Sequence, residues 1–105
     1  MNIQVLYLEG CPNHPPTVAL VRHVVADLGI ETEVEELEVK DQEEAEHLRF
    51  LGSPTVLVNG VDIDPSARER TDYGMSCRIY DRLGVPSREL LVAACAVSHG
   101  RCVSG

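Results

Sequence analysis

Cys11 and His14 are the residues of this chain best placed to do chemistry. The cysteine follows Glu9-Gly10 and opens the run Cys11-Pro12-Asn13-His14-Pro15-Pro16, with an apolar stretch behind it and a helical pattern ahead. Unpaired backbone N–H groups and the helix dipole make a helix N-terminus favourable for negative charge, so a thiol there is favoured as its nucleophilic thiolate. Gly10, Pro12, Asn13 and the paired prolines mark a loop tip, which favours a reactive cysteine over a small buried hydrophobe. His14 falls in or beside the first helical turn, where an imidazole can hydrogen-bond the sulfur or share a metal with it; a solvent-facing ring is the plainer alternative.

The other three cysteines divide by setting. Cys77 lies in Tyr73-Gly74-Met75-Ser76-Cys77-Arg78-Ile79-Tyr80. If the chain returns toward Cys11 there, Cys77 can resolve a sulfenic acid or mixed disulfide on Cys11, provided the two Cα atoms come within about 7 Å. Core filling between Met75 and Ile79 is the competing reading, with Arg78 as a surface charge. Cys95 sits in the apolar run from Leu90 to Val97 and reads as core, and Cys102, between Gly100 and Gly105, reads as tail. Cys95 and His99 share a helical spacing, but with Cys102 they do not form a zinc-ligand pattern, so no metal site is assigned. His23 and His47 read as surface. No GxSxG or GxxxxGK[ST] motif occurs, so neither a hydrolytic triad nor a phosphate loop is expected, and no cofactor is implied.

These residues need elements to hold them. Residues 3–8 carry the β-branched and aromatic content of a short buried strand ending just before Cys11. Prolines 15 and 16 suit a helix's first turn, and apolar positions 18, 20, 21, 24, 25 and 28 predict an amphipathic helix that Gly29 stops. Val34, Leu37 and Val39 alternate imperfectly among acids over 32–39, as in an edge-like strand. Asp41 is placed to cap a short helix, with Glu44 at the capping-box position, Ala45, Leu48 and Leu51 as its inward stripe, and Gly52 as its end. Ser53-Pro54-Thr55-Val56-Leu57-Val58 predicts a buried strand, and Asn59-Gly60 a tight hairpin returning through Val61-Asp62-Ile63. Residues 64–74 carry no assignable pattern. Ser87 caps a last helix through Leu90, Leu91, Ala94 and Val97. The order is βαβαββα, an α/β fold with one four-stranded mixed sheet flanked by helices.

Cys11-Pro12-Asn13-His14 resembles the CxxC motif of the thioredoxin superfamily, with His14 in the second cysteine position. Ser53-Pro54-Thr55 resembles that family's cis-proline loop, which precedes the third core strand and sits beside the active cysteine. The resemblance covers residues 1 to about 97 and implies a thioredoxin-like fold. It further implies a thiol-disulfide or thiol-transfer reaction at Cys11, supported by His14 and Cys77, with Pro12, Ser53, Pro54 and Thr55 against the substrate. A cis Pro54 would leave the Ser53 backbone able to pair with an extended peptide or cap a bound thiol partner. The chain departs from the pattern in two ways: position 14 is not cysteine, so Cys11 cannot form the local disulfide of dithiol oxidoreduction, and no aromatic residue precedes Cys11.

The run from Gly10 through Ser53-Pro54-Thr55 to Asp72-Tyr73-Gly74-Met75-Ser76-Cys77-Arg78 is also similar to small bacterial thioredoxin-like proteins, some labelled alkylmercury-lyase-like. That similarity implies a second function, in which Cys11 and Cys77 hold Hg(II) or a related soft ion and Asp72 protonates a leaving carbon. A third is a redox-inactive binding module that keeps the scaffold.

Composition bounds these options. The chain has 105 residues, enough for a single domain over 1–105, with 98–105 as a flexible tail. Seventeen acidic against nine basic residues leave a formal charge of −8, which argues against nucleic acid and for a soluble particle. Nine acids and one lysine lie between Glu31 and Glu46, as expected of a solvated edge strand and helix face. No apolar run approaches the roughly 18 to 20 residues of a membrane span, and the N-terminal stretch lacks the basic region of a signal sequence, so a cytoplasmic protein is expected. Four cysteines in a reducing compartment point to thiols, transient disulfides or metal ligands, and to a thiol- or disulfide-bearing protein or small thiol as partner.

Overall fold

Strands β1 (Ile3–Tyr7), β2 (Val34–Glu38), β3 (Thr55–Val58) and β4 (Val61–Asp62) form one sheet in the order β2-β1-β3-β4. Helices α1 (His14–Asp27), α2 (Gln42–Leu48) and α3 (Arg88–Ser98) complete the expected βαβαββα order, with a 3₁₀ turn at Pro65–Ala67 in the segment that carried no sequence pattern. The computed structural model describes residues 2–67, 69–74 and 85–98. β1 runs parallel to β2 and antiparallel to β3, and β3 pairs antiparallel with β4. The mixed pairing follows from the connections, because β1 reaches β2 through a helix whereas β3 reaches β4 through a two-residue turn. Asn59 and Gly60 both hold positive φ in that turn, the conformation that made Asn-Gly a hairpin signal.

Side-chain alternation divides the core. Ile3 and Val5 of β1 and Val56 and Val58 of β3 pack with α1 through Val18, Val21, Val24 and Val25, and with α3 through Leu91, Ala94 and Cys95. Leu6 and Leu57 point the other way and pack with Val39, Ala45 and Phe50. α1 and α3 therefore cover one face of the sheet and α2 the other. On β2 the same alternation places Val34 with the α1 cluster and Leu37 with the α2 cluster, so Glu36, in phase with Val34, faces α1.

Helix ends show where local rules held and where packing overrode them. α1 stops where expected: Gly29 takes φ +68°, its N–H bonds the Ala26 carbonyl, and the Ile30 N–H bonds that of Val25, a Schellman arrangement. Asp41 caps α2 by accepting from the Glu44 N–H at 2.8 Å, and the Glu44 carboxylate reaches back to the Lys40 N–H rather than to that of Asp41.

The end of α2 differs from the expectation that Gly52 closes it. Arg49 takes the left-handed conformation at φ 60°, with Arg49 N–H to Glu46 and Phe50 N–H to Ala45 completing a second Schellman arrangement. Leu51, expected on the helix stripe, is buried from the loop beyond it. A non-glycine in this conformation costs about 1 to 2 kcal/mol. Fully burying a Phe side chain contributes about 1.5 to 3 kcal/mol, and the reversal at Arg49 carries Phe50 into the core with no exposure left. Ser87 caps α3 through its Oγ, which accepts from the Leu90 N–H at 3.2 Å. The tail expected from 98 falls outside the described residues except for Ser98, which closes α3. No helix among the described residues is long and apolar enough to cross a membrane.

Candidate functional site

Two loops meet at the end of the sheet where β1 finishes and β3 begins, with Leu6 opposite Thr55 in the register. Leu8 ties them together. Its N–H donates to the Ser53 Oγ at 3.1 Å, and its carbonyl accepts from the Cys11 N–H at 3.1 Å. Between them Gly10 sits at φ +81°, a reversal that favours glycine and turns the chain from β1 into the Cys11 loop. Ser53, Pro54 and Thr55 are all buried, the Ser53–Pro54 peptide is cis, and the Thr55 hydroxyl donates to the Gly52 carbonyl.

Cys11 is half-buried and a free thiol. Its carbonyl accepts from the His14 N–H at 3.2 Å, which places it one turn ahead of α1. Asn13 is the N-cap residue but makes no side-chain cap bond, and the first turn carries no acidic residue. Against the sequence expectation, the first turn offers no free N–H, because that of His14 bonds the Cys11 carbonyl, that of Thr17 bonds the Asn13 carbonyl, and Pro15 and Pro16 have none; the helix dipole remains, and no carboxylate on that turn opposes a negative sulfur. Pro12 is exposed beside Cys11, on the solvent side of the loop.

His14 is held by the sheet. Its ring stacks on Tyr7 with centroids 3.7 Å apart and planes within 3°, and Nε2 lies 2.8 Å from Glu36 Oε1. The other carboxylate oxygen, Oε2, accepts from Arg22 of α1 at 3.2 Å. Strand end, helix start and edge strand thereby share one polar cluster at the start of α1. Sequence reasoning placed Glu36 in the solvated acidic run and did not single out Tyr7 or Arg22. The available signal was the phase of Glu36 with Val34 on β2, which is decisive only once β2 is paired parallel to β1.

Two further buried groups carry polar atoms. Thr17, in the first turns of α1, has no exposed surface, and its hydroxyl lacks a hydrogen-bond partner among the described residues. Cys95 is 1% exposed in the α1–α3 cluster, where burial pushes its thiol above the ordinary value, so it is core as expected.

Cys77, Cys102 and His99 lie outside the described residues, and with them the expected Cys11–Cys77 approach. The last residues described before that stretch, Tyr73 and Gly74, are tied to α2 and the loop after it: Gln42 Nε2 donates to the Tyr73 carbonyl at 2.8 Å and the Gly74 N–H to the Phe50 carbonyl at 3.1 Å. Asp72 does not have the setting of a proton donor. It accepts both arms of the Arg70 guanidinium, at 2.7 and 2.9 Å, and that pairing holds its carboxyl below the ordinary value. No group of three or more His, Cys, Asp or Glu residues suited to a metal ion occurs among the described residues. A cavity of about 90 Å³ lies between the β3–β4 hairpin and Tyr73, lined by Arg49, Leu57, Asp62 and Arg70 among others, and Cys11 is not in its wall.

A family model described as a thioredoxin domain matches residues 1–62, from the start of the chain to the end of β4. No curated protein and no solved structure matches the chain.

Proposed function

The chain belongs to the thioredoxin domain family, and from that premise we propose that it is a monothiol transferase acting on disulfides through Cys11. The observation that carries the reading is the half-buried free Cys11 one turn ahead of α1, tied through Leu8 to the Ser53–Thr55 loop.

The step balances without a second protein thiol. The Cys11 thiolate attacks one sulfur of a disulfide R–S–S–R′. A Cys11–S–S–R bond forms, the original S–S bond breaks, and R′–S⁻ leaves with the electron pair. An external thiol R″–SH, as its thiolate, then attacks the R sulfur, giving R–S–S–R″ and restoring Cys11. Histidine at position 14 favours this route over local disulfide formation, because no sulfur stands there to expel R. Pro12, exposed beside Cys11, meets the substrate, and the buried Ser53-Pro54-Thr55 loop holds the Cys11 loop through Leu8.

Transfer from a glutathione mixed disulfide to a small dithiol tests the proposal. Wild-type protein should accelerate it and Cys11→Ala should not. Equal rates would leave a binding module on a thioredoxin scaffold as the better reading.

A further inference from the structure

The two loops that meet at the Cys11 end of the sheet carry a single formal charge. From Met1 to Val21 the sequence contains one acidic or basic residue, Glu9, and from Phe50 to Val61 it contains none. Charges on the neighbouring elements are offset or turned away. Glu36 is bound to His14 and Arg22, Glu38 and Lys40 at the end of β2 are of opposite sign, and α2 with its acids lies across the sheet from α1. Glu9 is exposed, and its carboxylate makes no ion pair or hydrogen bond among the described residues.

The backbone fixes Glu9 near the thiol. The bond from the Cys11 N–H to the Leu8 carbonyl closes a four-residue turn with Glu9 and Gly10 at its corners; Gly10 holds positive φ and Glu9 does not, the type II pattern. Two residues span at most about 7 Å between Cα atoms, so the charge stands beside any molecule that approaches Cys11 from solvent. The turn requires positive φ at Gly10 and makes no demand for an acid at Glu9.

We infer that Glu9 is a specificity-determining residue for Cys11, favouring small disulfides that carry an ammonium group near the sulfur over those that carry a carboxylate. The inference rests on the thiol-transfer reading of Cys11, and the step is unchanged: a Cys11–S bond forms, the substrate S–S bond breaks, and the leaving sulfur departs with the electron pair. Only the approach differs. Between unit charges about 8 Å apart in water the interaction is worth about twofold in rate, so replacing a substrate's positive charge by a negative one changes the rate about fourfold at 0.01 M salt and about twofold at 0.15 M. Any effect of Glu9 on the sulfur itself is common to all disulfides and cancels in a ratio of two.

Rates of Cys11 labelling by cystamine, by 3,3′-dithiodipropionate and by uncharged 2-hydroxyethyl disulfide test it, with the label located by peptide mass mapping at pH 7. Wild type, Glu9→Gln, Glu9→Lys and Glu33→Gln are compared in 0.01 and 0.15 M NaCl. Glu33 precedes β2 at the far end of the sheet, about 16 Å away along β1, and its substitution removes the same charge. At 0.01 M the ratio of cystamine to dithiodipropionate rates should fall about fourfold in Glu9→Gln, more than about tenfold in Glu9→Lys and less than about 1.5-fold in Glu33→Gln. The Glu9→Gln effect should shrink to about twofold at 0.15 M. A ratio indifferent to Glu9, or one that Glu33→Gln shifts as far, would overturn the inference. The uncharged disulfide separates two failures. If it labels wild-type Cys11 while the ratio ignores Glu9, thiol transfer stands and the specificity falls; if no disulfide labels Cys11, both fall.

Discussion

Thr17 and Cys95 are buried polar groups with opposite consequences. The Thr17 hydroxyl is desolvated with no partner among the described residues, a penalty of about 1 to 3 kcal/mol. Thr17→Val keeps the shape and removes the penalty. Chemical denaturation should show the variant as stable as wild type or about 1 kcal/mol more stable, and a loss of that size would mean that the hydroxyl has a partner in solution. Cys95 stays a neutral thiol in the fold because burial raises its value above the ordinary 9.0, whereas in the unfolded chain it ionises near that value. Above about pH 9 the unfolded state therefore binds fewer protons than the native one, and stability falls as pH rises. The alkaline decline should be shallower in Cys95→Ala, and an identical decline would show that Cys95 is not shielded. Cys11 was legible because its neighbours spell a loop tip before a helix. The partner of His14 was not, because Glu36 is one of nine acids in a run and only strand pairing shows that it lies on the α1 face of the sheet.

Elements were legible wherever one local signal was sufficient. Asp41, Ser87, Gly29 and Asn59-Gly60 each mark their boundary by side-chain capping or positive φ, and the structure uses all four. The end of α2 was hidden because a sequence reading looks for glycine at a left-handed position, and here arginine occupies it to bury Phe50. Arg49→Gly relieves that conformational cost at some loss of unfolded-state order, so a gain of about 0.5 to 1 kcal/mol is expected from urea denaturation. A loss would mean that the Arg49 side chain contributes more than its backbone costs. The 3₁₀ turn at Pro65–Ala67 left no signal because three residues are too few to show a period.

At the scale of the whole molecule, the acidic run lies within the segment that the family model matches. The acidic run from Glu31 to Glu46 supplies β2 and α2, and its like charges repel over distances that salt shortens from about 30 Å at 0.01 M to about 8 Å at 0.15 M. Raising NaCl across that range at pH 7 should raise Tm, and a fall would mean that the Glu36 contacts with His14 and Arg22 outweigh the repulsion. The thioredoxin-domain match ends at the last residue of β4, yet α3, beyond it, sends Leu91, Ala94 and Cys95 into the cluster beneath α1. The helix that presents Cys11 is thus supported from outside the matched segment. The central claim concerns Cys11 itself, and competitive labelling tests it most directly. Native protein at pH 7 is given less than one equivalent of a small aromatic disulfide, and the label is located by peptide mass mapping. The account predicts that most of it is on Cys11 and that Cys11→Ser slows the total reaction. Label on other cysteines with Cys11 left free would contradict it.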